Sequence, residues 1–165
     1  MRILSITTSS NICSTAILED DIILKQLNID NAKTHSENLM PLLQQILADT
    51  KLKLADIDYL ACDIGPGSFT GIRIGISSIK AISEITNIPI CAVSSLEGLA
   101  SQASTSSGLI VSLIDARNDQ AYCGIFNKDF SIEDSFIADS MDNIIQNLKD
   151  KRSKFNLCGK CKPAT

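Results

Sequence analysis

Short segments rich in apolar residues follow one another along the first 30 positions of the chain, each bounded by polar residues. This pattern predicts three strands, at residues 2–8, 12–19 and 21–30. Short polar breaks at residues 8–11 and 19–21 separate the strands and are typical of hairpin turns. The segment is therefore expected to fold as an antiparallel β-meander.

A helical period replaces this pattern from Thr34 onward. Thr34 and Glu37 have the spacing of a capping box, in which two side chains satisfy backbone N–H groups at the start of a helix. Behind them, apolar residues recur on one helix face: Leu39, Leu42, Leu43, Ile46 and Leu47. Pro41 lies inside this pattern, so we expect either a kink or a late start of the helix.

The stretch GPGSFTGIRIG, residues 65–75, follows a buried strand predicted at 57–64 and opens a helix that runs to Thr86. Its first glycines favour a tight strand-to-helix turn. Isoleucines form one stripe of the helix, and Gly71, Gly75 and Ser78 form a second stripe of small residues. Each glycine inside a helix costs about 1 kcal/mol against alanine. We therefore predict that another helix approaches closely here. If that helix belongs to a second protein chain, Gly75→Leu should leave this chain folded but abolish its binding to that second chain.

The remaining pattern predicts a short strand at 90–93 and a helix capped by Ser94 or Ser95. Strands follow at 109–115 and 119–127 around a turn at 115–118, then a looser strand at 130–138, a helix to Lys149 and a strand at 155–158. A stretch rich in Ser, Thr and Gly at 101–108 is typical of a domain boundary. We predict an α/β protein with a first lobe at 1–104, ordered β-β-β-α-β-α-β-α, and a partial second lobe at 108–165.

Composition narrows the classes of function. The chain has 165 residues and a formal net charge of −4, so the basic face typical of an autonomous nucleic-acid binder is not expected. Most of its six cysteines lie in apolar strand patterns, and no apolar segment is long enough to span a membrane, which favours a cytoplasmic protein. Cys158 and Cys161 form a CxxC pair without the second pair that a structural zinc site needs, so no metal is expected.

Several residues carry two interpretations. Residues 65–75 lack both the lysine of a Walker A loop and the third glycine of GxGxxG, which favours a structural turn over a phosphate loop. Thr7, Thr8 and Ser9 form either a phosphate cradle or a plain hairpin, and Asp115 and Arg117 either serve a nucleotide or stabilise a turn.

Two further side chains complete the candidate chemistry. Arg73 is either a structural ion-pair partner or an interface anchor. His35, the sole histidine, is expected at the surface in the first turn of a helix, where nothing in the sequence places it near a nucleophile.

The glycine-rich motif at 65–75 resembles the signature of the bacterial TsaB (YeaZ) family. The resemblance extends to ILSITTS at residues 3–9, CSTA at 13–16, HSENLMP at 35–41 and IDAR at 114–117, in the order found in that family. It implies an actin-like ATPase (ribonuclease H-like) fold with a mixed sheet, flanking helices and a truncated second lobe. Two departures are that Thr7 stands where the family usually has Asp, and that Leu39 stands where the catalytic paralogue has a second metal-binding histidine after His35.

The resemblance implies a scaffold subunit without activity or cofactor of its own. Such a subunit pairs with the catalytic paralogue TsaD, joined by the ATPase subunit TsaE, in a complex that transfers a threonylcarbamoyl group to adenosine 37 of tRNA. The pairing surface would be helical and come from the first lobe, here Leu39, Leu43, Gly71, Ile72, Arg73, Gly75 and Ser78. The sequence leaves open whether the chain forms a homodimer or a monomer when the partner is absent, and tRNA contact would run through the complex. The alternative function is a small ATPase or phosphotransferase of the same fold.

Overall fold

The meander predicted at the N-terminus forms one half of a five-stranded sheet. The computed structural model describes residues 1–30, 34–103, 108–151 and 154–160. Strands β1 (Arg2–Thr7), β2 (Cys13–Glu19) and β3 (Ile22–Ile29) are antiparallel neighbours. Strands β4 (Tyr59–Asp63) and β5 (Ile90–Val93) continue the sheet in parallel from β1, in the order β3-β2-β1-β4-β5. The predicted mixed sheet is therefore confirmed.

Two helices flank this sheet. Helix α1 spans His35–Thr50 and α2 spans Phe69–Thr86, with a short 3₁₀ turn at Leu54–Asp56 between α1 and β4. The Glu37 carboxylate accepts a 3.3 Å hydrogen bond from the Thr34 backbone N–H, as the capping-box spacing predicted. Helix α1 begins at once at His35 although Pro41 lies inside it, so a late start is ruled out.

The core of this unit lies between the helices and the inner face of the sheet. Its largest fully buried side chains are Leu4, Ile17, Leu39, Ile46, Leu60 and Ile79. The α1 residues recur at the helical period and the β1 and β2 residues alternate, so both periodicities in the sequence are satisfied by one core.

The second unit is built on a four-stranded sheet. The contacts within the chain divide it into two units, Met1–Val93 and Ser94–Thr165. Helix α3 (Ser95–Ala100) therefore belongs to the second unit. The domain limits 1–104 and 108–165 stay a prediction. The remaining elements are β6 (Leu109–Arg117), β7 (Gln120–Phe126), β8 (Ile132–Ser140), α4 (Met141–Asp150) and β9 (Phe155–Lys160), with sheet order β8-β7-β6-β9.

One turn in this unit differs from its predicted position. Strand β6 continues through a bulge to Arg117, so the turn into β7 lies at Asn118 and Asp119 and not at 115–118. Both turn residues have positive φ, which Asn and Asp adopt more readily than most side chains. Residues 104–107 of the Ser-rich stretch and Cys161 of the CxxC pair lie outside the described residues. Across the residues that are described, no helix combines the length and hydropathy required to cross a bilayer.

Candidate functional site

The turn at residues 65–68 lies directly on the loop that joins β1 to β2. The Ser68 backbone N–H donates a 2.7 Å hydrogen bond to the Ser9 carbonyl oxygen. A side chain at Gly67 would overlap that same carbonyl, so only glycine permits the approach. Gly65 has φ +96°, a conformation that other residues rarely adopt. We call this region, made of the loop at residues 7–10 and the segment at 63–75, the glycine junction.

The small-residue stripe of α2 faces the end of β1 within the glycine junction. Gly71 and Gly75 are buried, and the Thr8 hydroxyl donates a 2.7 Å hydrogen bond to the Gly71 carbonyl oxygen. A Cβ at Gly71 would overlap the Thr8 carbonyl oxygen, and a Cβ at Gly75 would come within 2.5 Å of the Thr8 hydroxyl oxygen. The closest approach that the glycines permit is therefore made by Thr8, in the loop that follows β1 of the same unit. The ring of His35, at the start of α1, also lies near Gly71, where a Cβ would come within 3.2 Å of it. A leucine at Gly75 would overlap the Thr8 hydroxyl, so this structure gives a reason to expect that Gly75→Leu destabilises the unit as well as any pairing surface.

The seven residues expected at a partner interface divide by their exposure. Gly71, Gly75, Leu39 and Leu43 are buried within the unit, so their atoms pack mainly against the protein itself. Ile72 and Ser78 are half-buried, and Arg73 is exposed. Sequence periodicity missed this division because it identifies a helix face without showing which other element packs against it.

A carboxylate that the sequence reasoning did not single out organises the start of the junction. Asp63, at the end of β4, accepts hydrogen bonds from the hydroxyls of Thr7 (2.7 Å) and Ser9 and from the Gly65 N–H (2.8 Å). The three candidate phosphate-binding hydroxyls, those of Thr7, Thr8 and Ser9, thus donate within the protein. A phosphate at Thr7 and Ser9 would also face the Asp63 carboxylate, which favours the plain-hairpin interpretation.

His35 joins the start of α1 to the same loop. Its Nε2 lies 2.8 Å from the Ser10 carbonyl oxygen, and because a carbonyl only accepts, Nε2 carries the proton. Its Nδ1 is buried without a hydrogen-bond partner among the described residues. Neither ring nitrogen bonds a hydroxyl or thiol there, so the sole histidine of the chain does not activate a nucleophile in this arrangement.

Asp115 and Arg117 belong to the second unit, whereas the other candidate nucleotide-binding residues, Thr7, Thr8 and Ser9, belong to the first. The Asp115 carboxylate accepts a 2.7 Å hydrogen bond from the Arg117 backbone N–H. Arg117 has φ +68° at the bulge that ends β6. The hydrogen bond supports the turn-stabilising interpretation of this pair.

The cysteines and acidic residues supply no metal cluster within the described part of the chain. Cys13, Cys62, Cys91 and Cys158 form no disulfide, and Cys91 on β5 is exposed. Burial, with a smaller contribution from the Asp63 carboxylate, raises the pKa of the Cys62 thiol to about 11. That thiol is therefore a structural group and a poor nucleophile at neutral pH.

An open groove of about 440 Å³ runs along the outer side of α1 and α2. Its lining includes Leu39 and Met40 of α1, and Phe69, Arg73, Ser77 and Ser78 of α2. Met40 is 46% exposed and Phe69 is 69% exposed, which is unusual for side chains of this size. Three residues of the expected interface, Leu39, Arg73 and Ser78, thus lie together in one surface feature.

Arg73 lies over the ring of Phe69 at the groove. Its guanidinium carbon is 3.9 Å from the centroid of the ring, within the range of a cation–π interaction. The two residues are four apart on α2, the spacing that places side chains on the same helix face. Contact with the ring restrains the long Arg73 side chain while its N–H groups remain at the surface.

Comparison with known proteins points to one family. A family model described as TsaD, tRNA N6-adenosine threonylcarbamoyltransferase, matches residues 29–156. The tRNA threonylcarbamoyladenosine biosynthesis protein TsaB of Bacillus subtilis (strain 168) is 33% identical over 154 residues, which are 92% of this chain and 67% of that protein. The protein of the same name from Escherichia coli (strain K12) is 34% identical over 131 residues, 78% of this chain and 56% of that protein.

Solved structures agree with this result. YeaZ from Pseudomonas aeruginosa superposes with a TM-score of 0.74 at 28% identity, over 83% of this chain and 66% of that one. The likeness confirms the fold class predicted from the sequence. The chain spans about half to two thirds of the length of the curated relatives cited above.

Proposed function

The chain belongs to the TsaB (YeaZ) family, and on that premise we propose that it serves in the biosynthesis of threonylcarbamoyladenosine in tRNA as a subunit without catalytic activity of its own. Its role would be to bind the catalytic paralogue TsaD, which transfers the threonylcarbamoyl group to adenosine 37. The ATPase subunit TsaE would join the pair in the cytoplasm. Contact with tRNA would run mainly through TsaD, because the net charge of −4 disfavours binding of a polyanion.

A scaffold role is supported by how the glycine junction uses its polar groups. The hydroxyls of Thr7, Thr8 and Ser9 donate to acceptors within the protein, and His35 bonds a backbone carbonyl. These groups hold elements together and do not converge on a place for a substrate. The alternative function, a small ATPase or phosphotransferase, gains no support from this geometry.

The single observation that carries the proposal is the groove between α1 and α2. A large exposed apolar side chain on each helix, Met40 and Phe69, flanks a floor formed by buried Leu39. Exposed apolar surface of this kind is typical of a site where another protein binds. We propose that TsaD covers this groove, and that a second copy of the chain covers it when TsaD is absent.

Co-expression with TsaD from the same source, followed by size-exclusion chromatography with light scattering, tests the proposal. We expect a one-to-one complex with the wild-type chain and loss of the complex with Met40→Asp, which places a charge in the groove. Ile22→Asp is the matched control, because Ile22 is 68% exposed on β3 and is not among the residues that line the groove.

The results of this experiment distinguish a wrong scaffold role from a wrong position of the pairing surface. If the wild-type chain elutes alone in the presence of TsaD, the scaffold role itself is wrong. If the complex forms and Met40→Asp binds as well as Ile22→Asp, the scaffold role stands and the pairing surface lies elsewhere.

A further inference from the structure

Arg73 has an aromatic neighbour but no anionic one among the described residues. The ion pairs of the described residues involve the N-terminal amine, Arg2, Lys25 and Lys151. Arg73 takes part in none of them, and its guanidinium lies against the ring of Phe69. This is notable in a chain of net charge −4, where carboxylates outnumber cationic side chains.

The groove offers Arg73 no carboxylate either. Arg73 is the only charged residue among the nine described residues that line it, and the others are apolar or carry a hydroxyl. Ser36, Ser77 and Ser78 are small, so a helix lying in the groove can approach closely there. A partner that fills such a groove would remove water from the guanidinium, and a desolvated cation is costly unless it meets an anion.

We propose that the groove accepts an amphipathic helix of the partner protein, whose apolar side chains face Met40 and Phe69 and whose single Asp or Glu carboxylate binds Arg73. The guanidinium carbon of Arg73 lies 3.9 Å from the centroid of the Phe69 ring, and a guanidinium keeps several N–H donors besides such a contact. A carboxylate can accept two parallel hydrogen bonds from these donors. Arg73 is then the residue that selects the partner helix. The inference rests on the function proposed above and specifies the chemistry of the partner.

An RNA phosphate is the other anion that Arg73 could bind. Affinity for a nucleic-acid backbone is built from several cationic contacts, whereas Arg73 is the sole charged residue of the groove lining. The apolar side chains beside it would gain nothing from a phosphate. Charge and hydropathy therefore favour a protein helix.

The affinity of the purified chain for TsaD, measured by isothermal titration calorimetry, tests the inference. We expect Arg73→Glu to weaken binding about 100-fold, equivalent to about 2.8 kcal/mol at 1.4 kcal/mol per tenfold. Arg73→Gln, which removes the guanidinium and its charge without introducing a negative charge, should weaken it less. Lys53→Glu is the matched control: the residue is exposed, outside the groove lining, and undergoes the same charge change. Far-UV circular dichroism of each variant checks that the fold is kept.

The partner carboxylate can then be found by charge reversal. Each surface Asp or Glu of the helices of TsaD is changed to Arg and tested against Arg73→Glu. Recovery of binding by one such change, which by itself weakens binding to the wild-type chain, supports the inference and identifies the carboxylate.

Two results would overturn it. Equal affinity of Arg73→Glu and Lys53→Glu for TsaD, in an assay where Met40→Asp fails to bind, leaves the scaffold role intact and removes the ion pair. Loss of tRNA binding by the assembled complex on Arg73→Glu, with unchanged affinity for TsaD, assigns the residue to RNA.

Discussion

The packing of Gly75 against Thr8 predicts that Gly75→Ala lowers the free energy of unfolding in the wild-type chain and raises it in a chain that carries Thr8→Ala. A Cβ at Gly75 would lie 2.5 Å from the Thr8 hydroxyl oxygen, whereas the next atoms, of Cys62 and Ile6, would be 3.8 Å away at ordinary contact distance. Overpacking of this kind costs about 1–3 kcal/mol, and alanine recovers about 1 kcal/mol over glycine in a helix. We therefore expect Gly75→Ala to lower the free energy of unfolding by about 1 kcal/mol.

Removing the hydroxyl should reverse the effect. Thr8→Ala by itself is expected to cost about 1–2 kcal/mol, because it deletes the buried hydrogen bond to the Gly71 carbonyl. It also deletes the one atom that a Cβ at Gly75 would overlap. In the Thr8→Ala background, Gly75→Ala should therefore raise stability by about 1 kcal/mol, the ordinary gain of alanine over glycine in a helix.

Urea unfolding followed by far-UV circular dichroism measures the four free energies of this cycle. Helices α1 and α2, of 16 and 18 residues, dominate the helical signal over α3 and α4, of 6 and 10 residues, so the signal mainly reports the first unit. Gly98→Ala on α3 is the control, since a Cβ there meets nothing within 4 Å and should not destabilise the chain. A coupling energy below about 0.5 kcal/mol, the level expected of independent sites, would refute the packing account.

Two further predictions concern Asp63 and the cysteines. Asp63→Asn should lower the free energy of unfolding by about 1–3 kcal/mol, because one amide oxygen cannot accept from both hydroxyls and from the Gly65 N–H; an unchanged urea midpoint would contradict this. At about pH 8 an alkylating reagent should modify exposed Cys91 in the native protein and spare Cys62, of which only about 0.1% is thiolate at a pKa of about 11. Mass spectrometry of the labelled peptides checks this, and equal labelling rates for the two residues would show that Cys62 is not buried as described.

Patterns among residues close in sequence were sufficient to predict where the helices and strands lie. The capping box of Thr34 and Glu37 identifies the start of α1 because the hydrogen bond from the Thr34 N–H to the Glu37 carboxylate spans only three residues. Apolar runs with short polar breaks over residues 2–30 predict β1, β2 and β3 for a similar reason, since each strand pairs with the next along the chain through a hairpin. The order of elements, together with the motif at 65–75, was enough to predict the fold.

The glycine stripe shows where such reasoning ends. Glycine has no side chain, so hydropathy cannot indicate whether Gly71 and Gly75 face solvent, a partner or the sheet of their own unit. The answer depends on Thr8, more than 60 residues away in sequence. The role of Asp63 was missed for the same reason, because the hydroxyls that it accepts come from β1 and the following loop, 54 and 56 residues earlier.

The position of β1 at the centre of the first sheet has a consequence for folding during synthesis. Its pairing with β2 needs only the next hairpin, but its other edge pairs with β4, and the hydrogen bond from Arg2 to Asp58 spans 56 residues. A ribosome adding about 5–20 residues per second needs about 3–11 s to produce that length. For this interval the nascent meander has an open strand edge that bears Leu4 and Ile6, both buried in the finished sheet. A chaperone that binds extended apolar segments should therefore bind the β1 edge of the nascent chain mainly before β4 has been synthesised.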